Sequence, residues 1–296
     1  MFPSVTYDLC IIQSNRFYMQ KTILITGASA GLGKATAKLF QSKGWNVIAT
    51  MRNPEKETEL SLLENVTLLA LDVTNPEQIN QAVESITSKQ PIDVVFNNAG
   101  YGLAGPLEHA SDAQIVQQIE TNLTGVIRVT KAFIPYFKQK GGGLFITTTS
   151  IFGYSSCPMS SVYNATKWAL EGFSESLSYD LALFNIGIKT VAPGGIKINF
   201  VNAAQFVTHD EYQALNESMG KLIKSEELFR FNEVEEIAEV VLKAATDGKD
   251  QLRYLAGVDA IRTAQLRQEK GNEDFRKELR ESLHLKSPFR LEEQDI

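Results

Sequence analysis

Six short runs of mostly apolar and β-branched residues punctuate this chain: TILIT at 22–26, NVIAT at 46–50, VTLLAL at 66–71, IDVVFN at 92–97, LFITTT at 144–149 and IKTVAP at 188–193. Near-continuous Val, Ile and Leu predict strands covered on both faces, and therefore parallel pairing. Helical patterns separate the runs. Their expected starts pair a polar cap with an acid or amide three residues on: Thr74 with Glu77, Ser111 with Gln114, Asn232 with Glu235. Gly44 and Gly141 stand where helices should stop, because glycine takes the left-handed conformation that closes a last turn. Strands alternating with helices form right-handed βαβ crossovers. The expected fold class is α/β, a doubly wound parallel sheet in a single domain.

Two regions break this rhythm. The span 198–232 mixes Phe200, Phe206, His209, Tyr212 and Met219 with polar residues, and is expected to be a substrate loop or lid. Residues 258–296 are charged and helical in pattern, and are expected to form a peripheral tail on a catalytic domain spanning 19–257. Residues 1–18 lack the basic start and apolar core of a secretory signal and are expected to be a dispensable extension.

Composition narrows the classes. With 296 residues, 43% of them hydrophobic, the chain can bury one sizeable core. No apolar run approaches the ~20 residues that a membrane span requires. A net charge of −6 argues against a general nucleic-acid or anionic-membrane binder. Only two cysteines occur, Cys10 and Cys157, so no disulfide framework is implied and a reducing cytoplasm is the expected setting. His109, His209 and His284 have no metal-site spacing, and no metal is expected.

Candidate chemistry begins directly after the first strand, at TGASAGLG, residues 26–33. Gly27, Gly31 and Gly33, with Ser29, Ala30 and Leu32 between them, form a glycine-rich turn that opens a helix. Such a turn lets a pyrophosphate approach the backbone at the positive end of the helix, so a dinucleotide site is expected. Where NAD-linked sheets commonly place an acid after the second strand, this chain has Met51 followed by Arg52. A guanidinium suits a 2′-phosphate, so NADP(H) is favoured over NAD(H).

In SSVYNATKWALEGF, residues 160–173, Tyr163 and Lys167 sit one helical turn apart, roughly 40° around the axis. They border a stripe of Leu170, Phe173, Leu177, Leu181 and Phe184. A phenol titrates near ~10 and is a poor acid–base group at neutral pH. A neighbouring ammonium is expected to lower that value. The tuned phenol could donate a proton to a carbonyl oxygen, or accept one from an alcohol. Ser150, at the end of LFITTTS, could hydrogen-bond the same oxygen.

With these motifs in order, the sequence resembles the short-chain dehydrogenase/reductase family from about residue 20 to 257. The matching features are TGASAGLG, Asp72-Val73, NNAG at 97–100, Asn122 in TNLTG, Ser150, YNATK at 163–167 and PGG at 193–195. The resemblance implies a seven-stranded sheet, a nicotinamide cofactor and an Asn122–Ser150–Tyr163–Lys167 tetrad. It implies Tyr163 as acid or base, Ser150 as partner of the substrate oxygen, and Lys167 as ligand of the nicotinamide ribose. Asn122 would hold a relay water. Asp72 and Val73 would border the adenine, while Asn98, Ala99 and Gly100 would line the ribose and nicotinamide. Pro193, Gly194, Gly195 and Ile196 would flank the nicotinamide.

Two departures stand out. Ile198 occupies a position where relatives often have threonine, and Ala30 one where NADP-linked relatives often carry a basic residue. The apolar residues expected near the nicotinamide are Tyr101, Leu103, Phe152, Tyr154, Met159, Phe200 and Phe206, which suit a hydrophobic carbonyl or alcohol. NNAGYGLAGPLE looks like relatives acting on steroids or retinoids. The competing readings are an NAD-linked alcohol dehydrogenase and a non-catalytic NADP(H)-binding sensor or scaffold. A homodimer or homotetramer, packed through the Tyr163 helix and the one near 112–139, is a further implication of the family.

Overall fold

The computed structural model describes residues 20–197, 204–225 and 230–287. The expected extension 1–18, Ile198 and Phe200 lie outside the described residues. The chain alternates β1 (Thr22–Thr26), α1 (Gly31–Ser42), β2 (Asn46–Met51), β3 (Val66–Ala70), α2 (Pro76–Thr87) and β4 (Val94–Asn97). The short β5 (Gly102–Ala104) follows, then α3 (Asp112–Ile119), α4 (Gly125–Lys140), β6 (Gly143–Thr148), α5 (Ser161–Ala182) and β7 (Ile186–Pro193). Beyond it come β8 (Gly195–Ile196), β9 (Ala204–Phe206), α6 (Gln213–Lys224), β10 (Phe231–Asn232), α7 (Val234–Thr246), β11 (Arg253–Ala256), α8 (Val258–Lys270) and α9 (Asn272–Ser282).

Seven strands form one parallel sheet in the order β3-β2-β1-β4-β6-β7-β11. The order reverses between β1 and β4, and the carboxyl ends there open a crevice for a ligand. Alternation along β1 shows why the run had to be apolar throughout. Ile23 and Ile25 pack with Phe40 of α1 and Ile237 and Val241 of α7 on one face. Leu24 packs with Ile79 of α2 and Phe133 and Phe137 of α4 on the other. Burying each such side chain contributes about 1.5–3 kcal/mol.

Local signals were partly overruled. Ser111 and Gln114 form the expected capping box on α3, and Gly141 ends α4 at φ 83. At α2, however, the cap is Asn75 and not Thr74: its side chain accepts from Gln78 N at 3.0 Å. Pro76 takes the first helical position, where its missing N–H costs nothing. Asn232 does not cap α7 either, because its amide donates to Gly195 O, Arg230 O and Asp259 Oδ1. The expected apolar stripe on α5 fails at its end. Phe184 lies past the helix, 39% exposed, with the Lys138 ammonium 3.6 Å from its ring centre.

Two small sheets roof the crevice. β5 pairs with β9 and β8 with β10. Gly105, at φ 146, ends β5 where a Cβ would lie 2.2 Å from Val207 O, so no other residue fits without displacing that backbone.

Candidate active site

The carboxyl ends of β1, β4 and β6 are stitched by side chains. The Thr26 hydroxyl accepts from Asn98 N at 2.9 Å and Ala99 N at 3.0 Å. The Asn98 amide donates to Thr26 O and Gly27 O, and its oxygen accepts from the Thr148 hydroxyl at 3.2 Å. Asn98 is thus engaged in shaping the floor. A Cβ on Gly33 would sit 2.3 Å from Gly27 O and 2.6 Å from this amide, and one on Gly27 would sit 2.7 Å from the Ala99 Cα. Gly27 and Gly31 have φ of 67 and 53, which few other residues tolerate.

Helix α1 opens with Ala30 at its cap, no side-chain capping bond and no acid in its first turn. Ser29 and Ala30 are exposed while Leu32 is buried as the helix's anchor. Its first N–H groups therefore face the crevice without a competing acceptor from a cap, a ready anion site. Arg52 is exposed just past β2, and no ion pair to it occurs among the described residues. In the segment that follows, Glu57 and Glu59 pair with Lys34 at 3.1 and 2.6 Å. At the end of the neighbouring strand β3, Asp72 Oδ1 accepts from Thr74 N and Oγ1, and Val73 packs under Gly125.

Helix α5 brings Tyr163 and Lys167 to the floor. Lys167 is 6% exposed, and its ammonium donates to Thr148 O at 2.8 Å. It stands 5.5 Å from the centre of the Tyr163 ring. The Tyr163 hydroxyl lies beside Ser150, and Ser150 Oγ accepts from Phe152 N at 3.1 Å. The Phe152 ring meets that of Tyr163 edge-on at 6.2 Å.

The electrostatics differ from expectation in one respect. Burial pushes the Tyr163 phenol above its ordinary value, and the neighbouring Ser150 hydroxyl pulls only partly against it. The anticipated lowering by Lys167 does not offset this, because the ammonium gives up its own proton at about 8, before the phenol ionises. Burial brings Lys167 down to about 8, against the opposing pull of the Glu171 carboxylate. The result is a phenol that stays protonated at neutral pH beside a cation that titrates at about 8.

Asn122 lies in a π-helical turn, Glu120–Thr124, and is buried. Its oxygen accepts from Tyr101 N at 3.1 Å and its amide donates to Tyr101 O at 2.8 Å. Gly100 fits against this amide, where a Cβ would meet Asn122 Oδ1 at 3.1 Å. Past β7, Gly194 N donates to Ala256 O at 2.9 Å. Gly195 N donates to Asp259 Oδ2 at 2.7 Å. A Cβ on Gly194 would fall 2.1 Å from the Asp259 carboxylate, so the Pro193–Ile196 turn is moulded onto the start of α8.

The family profile described as short chain dehydrogenase matches residues 21–206. The chain belongs to the short-chain dehydrogenase family. Oxidoreductase BOA17 of Botryotinia fuckeliana is 36% identical over 252 residues, covering 83% of this chain and 92% of that protein. Retinol dehydrogenase 8 of Bos taurus is 33% identical over 251 residues, covering 79% and 80%. A short-chain dehydrogenase from Streptomyces avermitilis superposes with a TM-score of 0.78 at 28% identity, over 89% of this chain and 96% of its own. The molecule is an oxidoreductase acting on CH–OH groups, on a fold that binds a nicotinamide dinucleotide.

This short-chain dehydrogenase retains a turn that fits that cofactor: Gly27 and Gly33 pack directly on Ala99 and Asn98, where a Cβ would collide, and the α1 terminus that follows carries no side-chain cap. Several residues shaping the site escaped the sequence reading. Thr26 and Thr148 act through contacts some 50 to 70 residues away in the chain. Asp259 lies 64 residues from the Gly195 N–H it accepts from. Glu171 did carry a signal: it follows Lys167 by one turn, on the same face. It accepts from Thr190 Oγ1 at 3.2 Å and Arg253 Nε at 3.1 Å. The fold also brings His109 and His209 together, rings stacked at 3.8 Å, although nothing in their spacing suggested it.

Proposed function

We propose that this chain interconverts a carbonyl and an alcohol on a hydrophobic small molecule, with NADP(H) as redox partner. The observation that carries this reading is the convergence of Ser150, Tyr163 and Lys167 at the carboxyl end of β6, the strand beside β4. When bound, the cofactor supplies or accepts the hydride. In reduction, the Tyr163 hydroxyl gives its proton to the substrate oxygen, and Ser150 Oγ holds that oxygen in line. The high proton affinity of the buried phenol keeps it protonated and ready at neutral pH. Lys167, charged below about 8, holds the ribose and stabilises negative charge that develops on the phenol. Asn122 braces the Gly100–Tyr101 backbone, and its π-helical turn interrupts the regular ladder where a relay water would sit.

Gly27 through Gly33 and the α1 terminus would bind the pyrophosphate, with Ala99, Gly100 and Pro193–Ile196 beside the nicotinamide and Asp72 and Val73 beside the adenine. Arg52, exposed just past β2, favours the 2′-phosphate of NADP(H) through a forked, charge-assisted contact. An apolar cleft opens one residue after Ser150, lined by Ile151, Phe152, Pro158, Met219, Phe275 and Leu279. A hydrophobic substrate is in keeping with the retinol named for the bovine relative. The exposed Val116 and Ile119 of α3 and Tyr179 of α5 support a dimer through those helices. Among the described residues no helix is long and apolar enough to cross a membrane.

Titration with NADPH and NADH, followed by energy transfer from Trp45 and Trp168, tests the cofactor assignment. The expected result is NADPH bound at least ~10-fold more tightly, about 1.4 kcal/mol, with the preference lost in Arg52→Ala. Equal binding of the two cofactors by the wild type would overturn it.

A further inference from the structure

On the outer side of the roof lies a cluster that hydride chemistry does not use. The β5–β9 pairing sets two short turns side by side, Leu107–His109 and Asp210–Tyr212. His109 and His209, a hundred residues apart, stack with ring centres 3.8 Å apart and planes 10° from parallel. Glu211 places Oε2 3.6 Å from His209 Nδ1. One donor atom from each of the three lies within 4.8 Å of the others, all on exposed side chains. Glu108 accepts from the Tyr212 hydroxyl across the same gap.

Stability alone is a weak reason for this convergence. An exposed ion pair contributes only ~0–1 kcal/mol. Two imidazoles and a carboxylate are, however, a donor set suited to Zn²⁺ and its borderline neighbours, and poorly suited to Mg²⁺ or Ca²⁺. Tetrahedral bonds of ~2.0–2.1 Å put neighbouring donors about 3.3 Å apart. The His209–Glu211 pair is already near that separation, and rotation of an exposed ring brings in His109. Little is given up: the Glu211 N–H contact to His209 Nδ1 is long, at 3.4 Å. The carboxylates of Glu211 and Glu108 supply the negative charge that a dication needs.

We propose that His109, His209 and Glu211 bind a divalent cation of the zinc class, completed by water, which clamps the segment carrying β9 and α6 to the turn after β5. His109 belongs to the body of the molecule, while His209 and Glu211 belong to the segment. Ligation therefore ties the two together, and through Met219 of α6 it fixes one wall of the apolar cleft.

The test uses the full chain after chelator treatment, titrated calorimetrically with ZnCl₂ and separately with MgCl₂. One Zn²⁺ per chain is expected, weakened at least tenfold in His109→Ala and in His209→Ala and unchanged in His284→Ala, with no matching Mg²⁺ binding. Trypsin cleavage after Lys221 and Lys224 is expected to slow with Zn²⁺ in the wild type but not in His109→Ala, which keeps both ligands on the segment. Zn²⁺ affinity unaffected by His109→Ala and His209→Ala, or equal Mg²⁺ binding, would overturn the site. Site-dependent binding with unaltered proteolysis would overturn the clamp. No readout involves turnover, so the outcome is independent of the active-site assignment.

Discussion

Helix α7 sets Ile237, Ala238, Val241 and Ala244 against the sheet, whereas α5 turns Asn164, Lys167, Glu171 and Ser174 inward beside Leu170 and Leu181. Both pack on the same strand, β7, and both are long. Burying apolar atoms stabilises α7 directly. Burying an ammonium and a carboxylate is unfavourable unless each finds partners, and an apolar pair of similar shape is often at least as stable. Helix α5 thus carries polar groups that the core does not require, held by Thr148 O, Thr190 Oγ1 and Arg253. The bracing is incomplete: Asn164 Oδ1, Glu171 Oε1 and Ser174 Oγ are buried without a partner among the described residues, and this partly satisfied polar face is where the proposed chemistry sits.

Three substitutions break or sharpen that contrast. The largest effect is expected from Tyr163→Phe, which removes only the phenolic hydroxyl that the proposal makes the proton donor. Turnover should drop by ~10²–10⁴, while nucleotide quenching of tryptophan fluorescence and the melting temperature stay close to wild type. Retained turnover would show that another group supplies the proton. Next comes Ile237→Ala on α7. Loss of a fully buried branched side chain should destabilise the fold by about 2–5 kcal/mol, read as a lowered denaturant midpoint, with kcat per folded molecule little changed.

The smallest effect is expected from Glu171→Gln. Lys167 keeps its charge only below about 8, and Glu171 raises that value. The high-pH fall in kcat should therefore begin at lower pH in the variant, with little change on the acid side. Linkage gives a second readout. The folded chain releases the Lys167 proton at about 8 and the unfolded chain at about 10.5. Between these values the unfolded state binds more protons, so this residue makes stability rise with pH across that window and contributes no slope below it. An unmoved high-pH limb would remove Glu171 from the tuning of Lys167.

The same contrast explains what could be read in the sequence. Strands β1, β2 and β4 were legible because they are buried on both faces. β11 was not: at the sheet edge only Tyr254 and Ala256 are fully buried, and RYLA is too short to stand out. Tyr163, Lys167 and Ser150 were legible through local spacing and motif order. Asp259, Thr26 and the His109–His209 stack were not, because each depends on a contact made by distant segments. At Asn75-Pro76 a local rule did apply, but proline's preference for the first helical turn outweighed the Thr74–Glu77 pairing.

The roof built by β5 and β9 has a further consequence for how the molecule opens. Each of its strands is three residues long, and a lone two-stranded ribbon is marginal in water. The floor strands belong to a seven-stranded sheet with core on both faces. Floor and roof are therefore separate cooperative units, with different free energies of opening. Amide hydrogens of the roof, such as Val207 N bonded to Ala104 O, should exchange with solvent well before those of β1 or β4. A local opening of the β5–β9 pair would thus leave the seven-stranded sheet, and the residues at its carboxyl ends, in register.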